Sequence, residues 1–383
     1  MRIFEPNPFS GKSMEYIWQH TNFPNFTFDD KLLLVPAQAF ALQVSEVNGI
    51  LQGLKSVEQE DFLLQILLAE AMKTSEIEGE YFSRIDVMSS LRQQLGLHNS
   101  LPKAKDKNAN AIAQMMLQVR ADYRQKLSER LLKKWHSILM AEARNIHAGK
   151  WRKGKEAMQV ISGRAGAVEV HYEAPPSDAV PEMMRGFIQW YHQFAFLQLG
   201  KVGEGMLKAA LAHLYFETIH PFEDGNGRIG RALAEKILAE HLELPLYIGL
   251  SPIIEKNKKQ YYNELKAAQR NGNATQWILY FFDVMIQAEQ AVKAIANFSM
   301  LKTSFFDRFK SQLNPRQEKA IQKMLEYGQD GFEGGMTAKK YSSINNTSKA
   351  TATRDLQDLA AMEAFVPQGG GRSVSYRLNL DFK

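Results

Sequence analysis

His220-Pro221-Phe222-Glu223-Asp224-Gly225-Asn226-Gly227-Arg228-Ile229-Gly230-Arg231 is the stretch around which this chain is organised. Upstream, Leu207, Ala210, Leu211, Leu214 and Thr218 recur at helical spacing; downstream, Ile229, Leu233 and Ile237 recur every fourth residue. Between the two helices a proline, two glycines and an asparagine make a tight loop. The loop empties into a helix N-terminus, where unpaired N–H groups and the positive dipole end favour an anion. Gly225 and Gly227 let backbone approach a ligand closely. Arg228 and Arg231, about one turn apart, offer forked cations suited to phosphate oxygens. Asp224 is a hard oxygen ligand of the kind Mg²⁺ takes when substrate phosphates hold most of its shell. His220, at the loop entrance, can accept a proton near neutral pH. A base, a metal carboxylate, an anion cradle and two arginines point to phosphoryl or nucleotidyl transfer.

Outward from the loop, composition bounds the rest. At 383 residues, two or three domains are expected. With 45% hydrophobic and 23% charged residues the chain reads as globular. No apolar run approaches the roughly 18 residues of a membrane span. Glu5, Pro6 and Pro8 interrupt the first residues, which argues against a secretory signal. There is no cysteine, which excludes disulfides, zinc-thiolate sites and thiol catalysis, and the cytoplasm is the expected compartment. A net charge of +5 is mild for this length.

His220 through Arg231 matches, at every specified position, the signature His-x-Phe-x-Asp/Glu-Gly-Asn-Gly-Arg-x-x-Arg, and the chain resembles the Fic family. A second resemblance lies upstream. Thr74-Ser75-Glu76-Ile77-Glu78-Gly79 closes a helix from about Val57 to Ile77, and Gly79 suits its C-terminal cap. Glu78 does not suit its place, because a carboxylate there meets the negative dipole end and needs a compensating cation. Thr74, Glu78 and Gly79 match the family's inhibitory motif, Ser/Thr-x-x-x-Glu-Gly/Asn.

The N-terminal stretch is aromatic and loop-like: Phe4, Phe9, Tyr16, Trp18, Phe23, Phe26 and Phe28, expected to pack into a core. Asp29 or Asp30 caps a helix through about Leu54. Helices are expected over Asn108–Arg120, Leu131–Met140, Phe187–Phe194 and Trp277–Ile295. Between Gly149 and Ser177, alternating Val160, Ile161, Val168 and Val170, closed by Pro175-Pro176, predict a β-hairpin. The resemblance makes that hairpin a flap over the site, places Val168, Glu169, Val170 and His171 beside the nucleotide, and leaves an edge for an extended target segment. It also places Tyr261 and Gln269 near the base, although relatives often carry Asn where this chain has Gln269. After Asn314, three short helices precede Phe365-Val366-Pro367 and Val374-Ser375-Tyr376-Arg377-Leu378, tipped by Gly369-Gly370-Gly371. This reads as a winged helix, with Ser348, Lys349, Thr351 and Arg354 heading its recognition helix. Residues 314–383 hold ten Lys and Arg against eight Asp and Glu, a meagre balance for phosphate-driven binding.

The expected architecture is mainly α: an N-terminal helical segment over 1–102 carrying the inhibitory helix, a Fic-type core with its hairpin flap over 103–300, and a small α+β winged-helix domain over 314–383. The activity implied by the resemblance is transfer of AMP from ATP to a Ser, Thr or Tyr hydroxyl of a target protein. His220 takes the hydroxyl proton, Asp224 holds Mg²⁺, and Gly225, Asn226 and Gly227 receive charge on the α-phosphate. Arg228 neutralises the leaving pyrophosphate, Arg231 binds the γ end, and Ile229 and Gly230 complete the ATP-binding stretch. Glu78 inhibits. Removal of AMP from modified proteins on the same site, or a regulatory protein using the Fic part as a sensor, stand as alternatives. A second copy of the chain and DNA are left open as partners; a membrane is not expected.

Overall fold

The computed structural model of the protein describes residues 16–97, 101–154, 158–164, 167–244, 248–328, 331–370 and 373–380, with backbone alone over 160–164 and 167–171. Phe4, Phe9 and Gly371 lie outside the described residues. By contact the chain forms two units, Met1–Ser45 with Leu63–Gln290, and Glu46–Phe62 with Ala291–Lys383. The expected division at 102/103, 300 and 314 follows sequence and cuts the chain elsewhere. Among the described residues no helix is long and apolar enough to cross a membrane.

The chain folds into α1 (Leu34–Gly53), α2 (Ser56–Ile77), α3 (Arg84–Gln94), α4 (Lys107–Ala121) and α5 (Glu129–Leu139). The strands β1 (Gln159–Arg164) and β2 (Ala167–Glu173) precede α6 (Val180–Gln193), α7 (Gly200–Ile219), α8 (Asn226–Leu242), α9 (Leu250–Lys256) and α10 (Lys258–Ala268). Local chemistry accounts for many boundaries. Asp106 accepts from the N–H groups of Asn108 and Ala109 at the start of α4, and Ser128 caps α5 through Leu131. Asp29 caps a 3₁₀ turn over Asp30–Leu32, so the predicted single helix becomes that turn followed by α1. The periodicity reading passed over α3, whose sequence is mostly polar.

The first unit is built on α7 and α8, the two helices flanking the loop. From Met206 to Ile219 every α7 residue is buried, and α8 is buried from Ile229 through Ala239. A helix buried all round lies inside a shell, as α7 does here, and its buried Lys208, His213, Glu217 and Thr218 are exceptions to an otherwise apolar surface. Trp135 of α5, Phe187 of α6 and Phe281 all lie in this core. Trp277 donates its indole N–H to the Ala210 carbonyl, 2.8 Å away. Of the N-terminal aromatics, Tyr16 and Trp18 are buried against Tyr172 and Ala174, while Phe23, Phe26 and Phe28 are half-buried. β1 and β2 pair antiparallel from Arg164 opposite Ala167 to Gln159 opposite Glu173, with a bulge at Val160/Ile161 that leaves His171 without an opposite number.

The last core helix runs much further than periodicity up to Ile295 suggested. α11 spans Thr275–Phe309, belonging to the first unit up to Gln290 and to the second from Ala291. In the second unit Phe305 and Phe309 enter one core with Ile321 and Met324 of α12 (Pro315–Leu325), Tyr341 of α13 (Ala338–Asn345) and Leu356 of α14 (Lys349–Ala361). Asp355, 3% exposed, anchors the group: it accepts from Arg316 at 2.8 Å and from the Tyr341 hydroxyl at 2.9 Å. β3 (Phe365–Gln368) and β4 (Ser375–Leu378) pair antiparallel after α14.

Candidate active site

α7 ends on its own catalytic candidate. His220 is the C-terminal cap, in the left-handed conformation (φ 50°, ψ 59°) that a non-glycine residue adopts at some cost. The last carbonyls of α7, which have no partner within a helix, are each taken by a side chain from elsewhere. Gln269 donates to Glu217 O at 3.2 Å, and the Tyr172 hydroxyl donates to Thr218 O at 2.5 Å. Arg152 donates to Ile219 O at 3.3 Å and His220 O at 2.7 Å. The same guanidinium reaches Pro175 O and Ser177 Oγ beyond β2. Arg152 is 3% exposed, and its cation stands at the negative end of α7. Burial pushes it down to about 10, still above neutral pH.

The loop is pinned from inside by Asn226. Its side chain accepts from Phe222 N–H and donates to Phe222 C=O, both at 2.9 Å. Phe222, fully buried, stacks on His136 with centroids 3.8 Å apart and planes 1° from parallel. Gly149 N–H donates to His136 Nδ1 at 2.8 Å, which leaves Nε2–H to donate to Asp224 O at 3.1 Å. Acceptance by Nδ1 requires the neutral ring, and burial pushes His136 down to about 4. Gly225 caps the start of α8 in the left-handed region that favours glycine (φ 78°), and a Cβ there would also press on Met140 Cε at 2.5 Å. Ile229 N–H makes the first helical bond to Gly225 O, and the amides before it form the N-terminal cradle.

A carboxylate sits on that cradle. A Cβ at Gly227 would be 2.3 Å from Glu78 Oε1 and 3.0 Å from Arg231 Nη1. Glu78 follows the end of α2, where Glu80 N–H bonds Ser75 O, Gly79 N–H bonds Glu76 O, and Gly79 is left-handed. Arg231, 1% exposed, donates through Nε to Thr74 Oγ1 (2.8 Å), and through Nη2 to Thr74 O (2.9 Å) and Glu78 Oε1 (2.7 Å). The cation that the unfavourable position of Glu78 called for is therefore Arg231. Burial works to raise the Glu78 carboxyl, but Arg231, with Arg228 and Lys258 behind it, holds it below its ordinary value. Arg228, 4% exposed, donates to Glu80 Oε2 at 2.6 Å, and its other terminal nitrogen is 3.6 Å from Asp224 Oδ1.

His220 faces this arrangement as a neutral base. Burial, then the Arg152 cation, push its imidazole down to about 4. Its Nδ1 is 3.7 Å from Glu217 Oε2, which leaves Nε2 as the nitrogen for a substrate. Asp224, its side chain 55% exposed, is the carboxylate open to solvent at the loop.

The remaining predicted residues fall in three places. Ile229 and Gly230 are buried on α8. The backbones of Val168, Glu169 and Val170 pair with Gly163, Ser162 and Ile161, and their side chains and that of His171 lie outside the described residues. Tyr261 and Gln269 are 1% and 4% exposed; Tyr261 OH lies 2.8 Å from His213 Nε2, and Gln269 supports α7 as described. Periodicity and motif passed over Arg152, His136, Tyr172, Glu217 and Glu80. Arg152 carried one signal, a cation beside Trp151 at the edge of a glycine-rich stretch.

Residues 126–238 match the Fic/DOC family, and residues 16–97 match a domain of unknown function (DUF4172). The chain is 34% identical over 98 residues to a probable protein adenylyltransferase of Aquifex aeolicus, covering 26% of this chain and 27% of that protein. It is 27% identical over 135 residues to a protein adenylyltransferase of Caenorhabditis elegans, covering 35% of this chain and 22% of that one. The chain thus spans about a quarter of the length of the curated relatives it matches. It shares its fold with a Fic family protein from Desulfovibrio desulfuricans, at a TM-score of 0.51 and 18% identity, over 90% of this chain and 97% of that one.

Proposed function

From the premise that this chain belongs to the Fic/DOC family, we propose that it is a protein adenylyltransferase, moving AMP from ATP to a hydroxyl of a protein target. The observation that carries the reading is the meeting of a neutral His220 with a helix N-terminus flanked by two buried arginines. The target's Ser, Thr or Tyr oxygen attacks the α-phosphorus while its proton passes to His220 Nε2, and the bond to the leaving pyrophosphate breaks. The amides at the start of α8 receive the charge on the α-phosphate, Arg228 that on the pyrophosphate and Arg231 that on the γ end. No covalent intermediate with the protein is needed, so positioning and electrostatics supply the rate. Asp224 fits a Mg²⁺ ion: one exposed hard carboxylate at the loop, with no cluster of three acidic or histidine ligands among the described residues, suits a metal held mainly by phosphates. When bound, such an ion neutralises phosphate charge.

The resting site is closed to ATP by its own carboxylates. Glu78 takes Arg231 and Glu80 takes Arg228, so each arginine meant for a phosphate already carries an ion pair. A triphosphate must displace them or bind with its α-phosphorus out of line, and a displacement of about 1 Å costs on the order of 10²-fold in rate. The elements after Asn314 act in choosing targets, through protein or DNA. Incubation of the chain with Mg²⁺, α-labelled ATP and a cell lysate, followed by mass spectrometry of labelled peptides, tests the activity. Absence of His220-dependent label from both the parent and Glu78→Gly rejects it.

A further inference from the structure

We propose that Glu217 is a positioning residue for His220, holding the imidazole with Nε2 toward the loop and giving it the negative counter-charge it needs after accepting a proton. The inference rests on the reading of His220 as the base and deepens it. Glu217 lies in the last turn of α7, three residues before the His220 that caps it. Glu217 Oε2 is 3.7 Å from His220 Nδ1, and among the described residues no other carboxylate is within ion-pair distance of that ring. Glu217 is 5% exposed, and its Oε1 has no hydrogen-bond partner. Gly230 of α8 leaves room for it, since a Cβ there would stand 2.5 Å from Oε1. A buried carboxyl with an unpartnered oxygen is destabilising, and a leucine would fill the space without that penalty. Packing does not account for a carboxyl at this position; a charge partner for His220 does.

An imidazolium at this position is disfavoured by burial and by Arg152. A carboxylate at such range in a dry site offsets both far more than it would in water. The charged and titratable groups around Glu217 are His213 on α7, His220 at its cap, Arg231 on α8, Glu78 after α2, Tyr261 and Tyr262 on α10, and Tyr172 on β2. Burial first, and the Glu78 carboxylate second, push the Glu217 carboxyl up to about 8, while Arg231 pulls it down. The sign follows: below that value Glu217 is protonated and His220 is a weak base, and above it the carboxylate strengthens His220. Glu217 neither makes nor breaks a bond. The target's proton goes to His220 Nε2, and the electron pair left on its oxygen forms the new bond to phosphorus.

The test uses the full chain in a Glu78→Gly background, with and without Glu217→Gln, a neutral isostere of the protonated carboxyl. AMP transfer is followed from pH 6 to 9.5, with KM for ATP, and the His220 imidazole is followed by ¹⁵N NMR over the same range. With Glu217 present, kcat should rise about tenfold through a limb below pH 8, since the charge that raised this carboxyl is gone, and the His220 resonances should track it. In the Glu217→Gln variant the limb should vanish from both readouts, kcat should stay at its low plateau and KM should not move. Should Glu217→Gln fail to fold, Glu217→Asp replaces it and should keep the limb with a lower upper plateau. An unchanged pH profile, or imidazole resonances indifferent to the substitution, overturns the proposal. If Glu78→Gly transfers no AMP at any pH, the functional reading falls, and the resonances still decide whether Glu217 charges His220.

Discussion

Arg228 and Glu80 form an ion pair, Nη1 to Oε2 at 2.6 Å, around a guanidinium that is 4% exposed. It lies beside the pair between Arg231 and Glu78, and both carboxylates follow the end of α2 within three residues. The two buried arginines of the loop are thus held by one short segment. Release of one pair leaves the other.

The first prediction follows from that count. Glu78→Gly should raise labelling of the chain and its targets on the order of 10²-fold, by letting the γ end reach Arg231. Glu80→Gln alone should do little, because Glu78 still covers the cradle at Gly227. The double variant should exceed Glu78→Gly, with the gain seen as a lower KM for ATP. Side-by-side autolabelling of the four proteins with Mg²⁺ and ATP reads this directly, and equal labelling by parent and Glu78→Gly would sink the inhibitory role.

His220→Ala in the Glu78→Gly background should lose about 10²- to 10⁴-fold in transfer while ATP binding survives. The reason is position: His220 caps α7, outside the amide cradle that begins α8. Calorimetric titration with a non-hydrolysable ATP analogue, set against label transfer, separates the two effects. Transfer at the undiminished rate would remove His220 from the chemistry.

Arg152→Lys should behave as a severe change although it keeps the charge. Lysine has no planar fork to span Ile219 O, His220 O, Pro175 O and Ser177 Oγ. Leaving buried acceptors unmet costs about 1–3 kcal/mol each, so a stability loss of about 3 kcal/mol is expected. Transfer should fall with it, because His220 loses the support of its strained backbone. Urea unfolding and kcat measured on one preparation test both; a lysine variant as stable as the parent would show that the fork is dispensable.

His136 makes stability depend on pH with a defined sign. Its folded value is pushed down to about 4 by burial, against an ordinary 6.5 in the unfolded chain. Between these values the unfolded chain binds a proton that the folded one does not. The stability contributed by the neutral ring is therefore full above about 6.5 and is lost as pH falls toward 4, by about 3 kcal/mol over the window. His136→Gln should be less stable at pH 7 but should lose correspondingly less on acidification. Unfolding midpoints at pH 7, 5.5 and 4.5 give the difference, in which contributions common to both proteins cancel. Parallel pH curves for the two proteins would refute it.

A cut near Asn314 should prove less clean than the composition change there suggests. Phe305 and Phe309, at the end of α11, are buried with Ile321, Met324 and Tyr341 beyond the cut. Residues 1–313 should therefore expose two aromatic rings, self-associate and bind a hydrophobic dye. Replacing both phenylalanines by serine should restore a monodisperse chain, and light scattering decides between the outcomes.

Read alone, the sequence determined the parts whose physics is local. The twelve residues from His220 to Arg231 are contiguous, so their helix–loop–helix form, glycine positions and anion cradle follow from neighbours along the chain. The misfit of Glu78 at a helix C-terminus was equally local, and it called for a cation without naming one. The family resemblance sets Arg231 against it, and the fold supplies the contact itself, across 153 residues of sequence. The fold alone sets Arg152 under α7, 67 and 68 residues from the carbonyls it meets, and Glu80 on Arg228 across 148. None of these pairs leaves a period or spacing in the sequence, because each forms only where packing brings two elements together. α11 outran its predicted end for a related reason: its last turns are held by Phe305 and Phe309 in a core that lies mostly after them in the chain. Local patterns set the elements and the loop chemistry. Long-range burial decided which charges meet, and so which groups are neutral, paired or left without a partner.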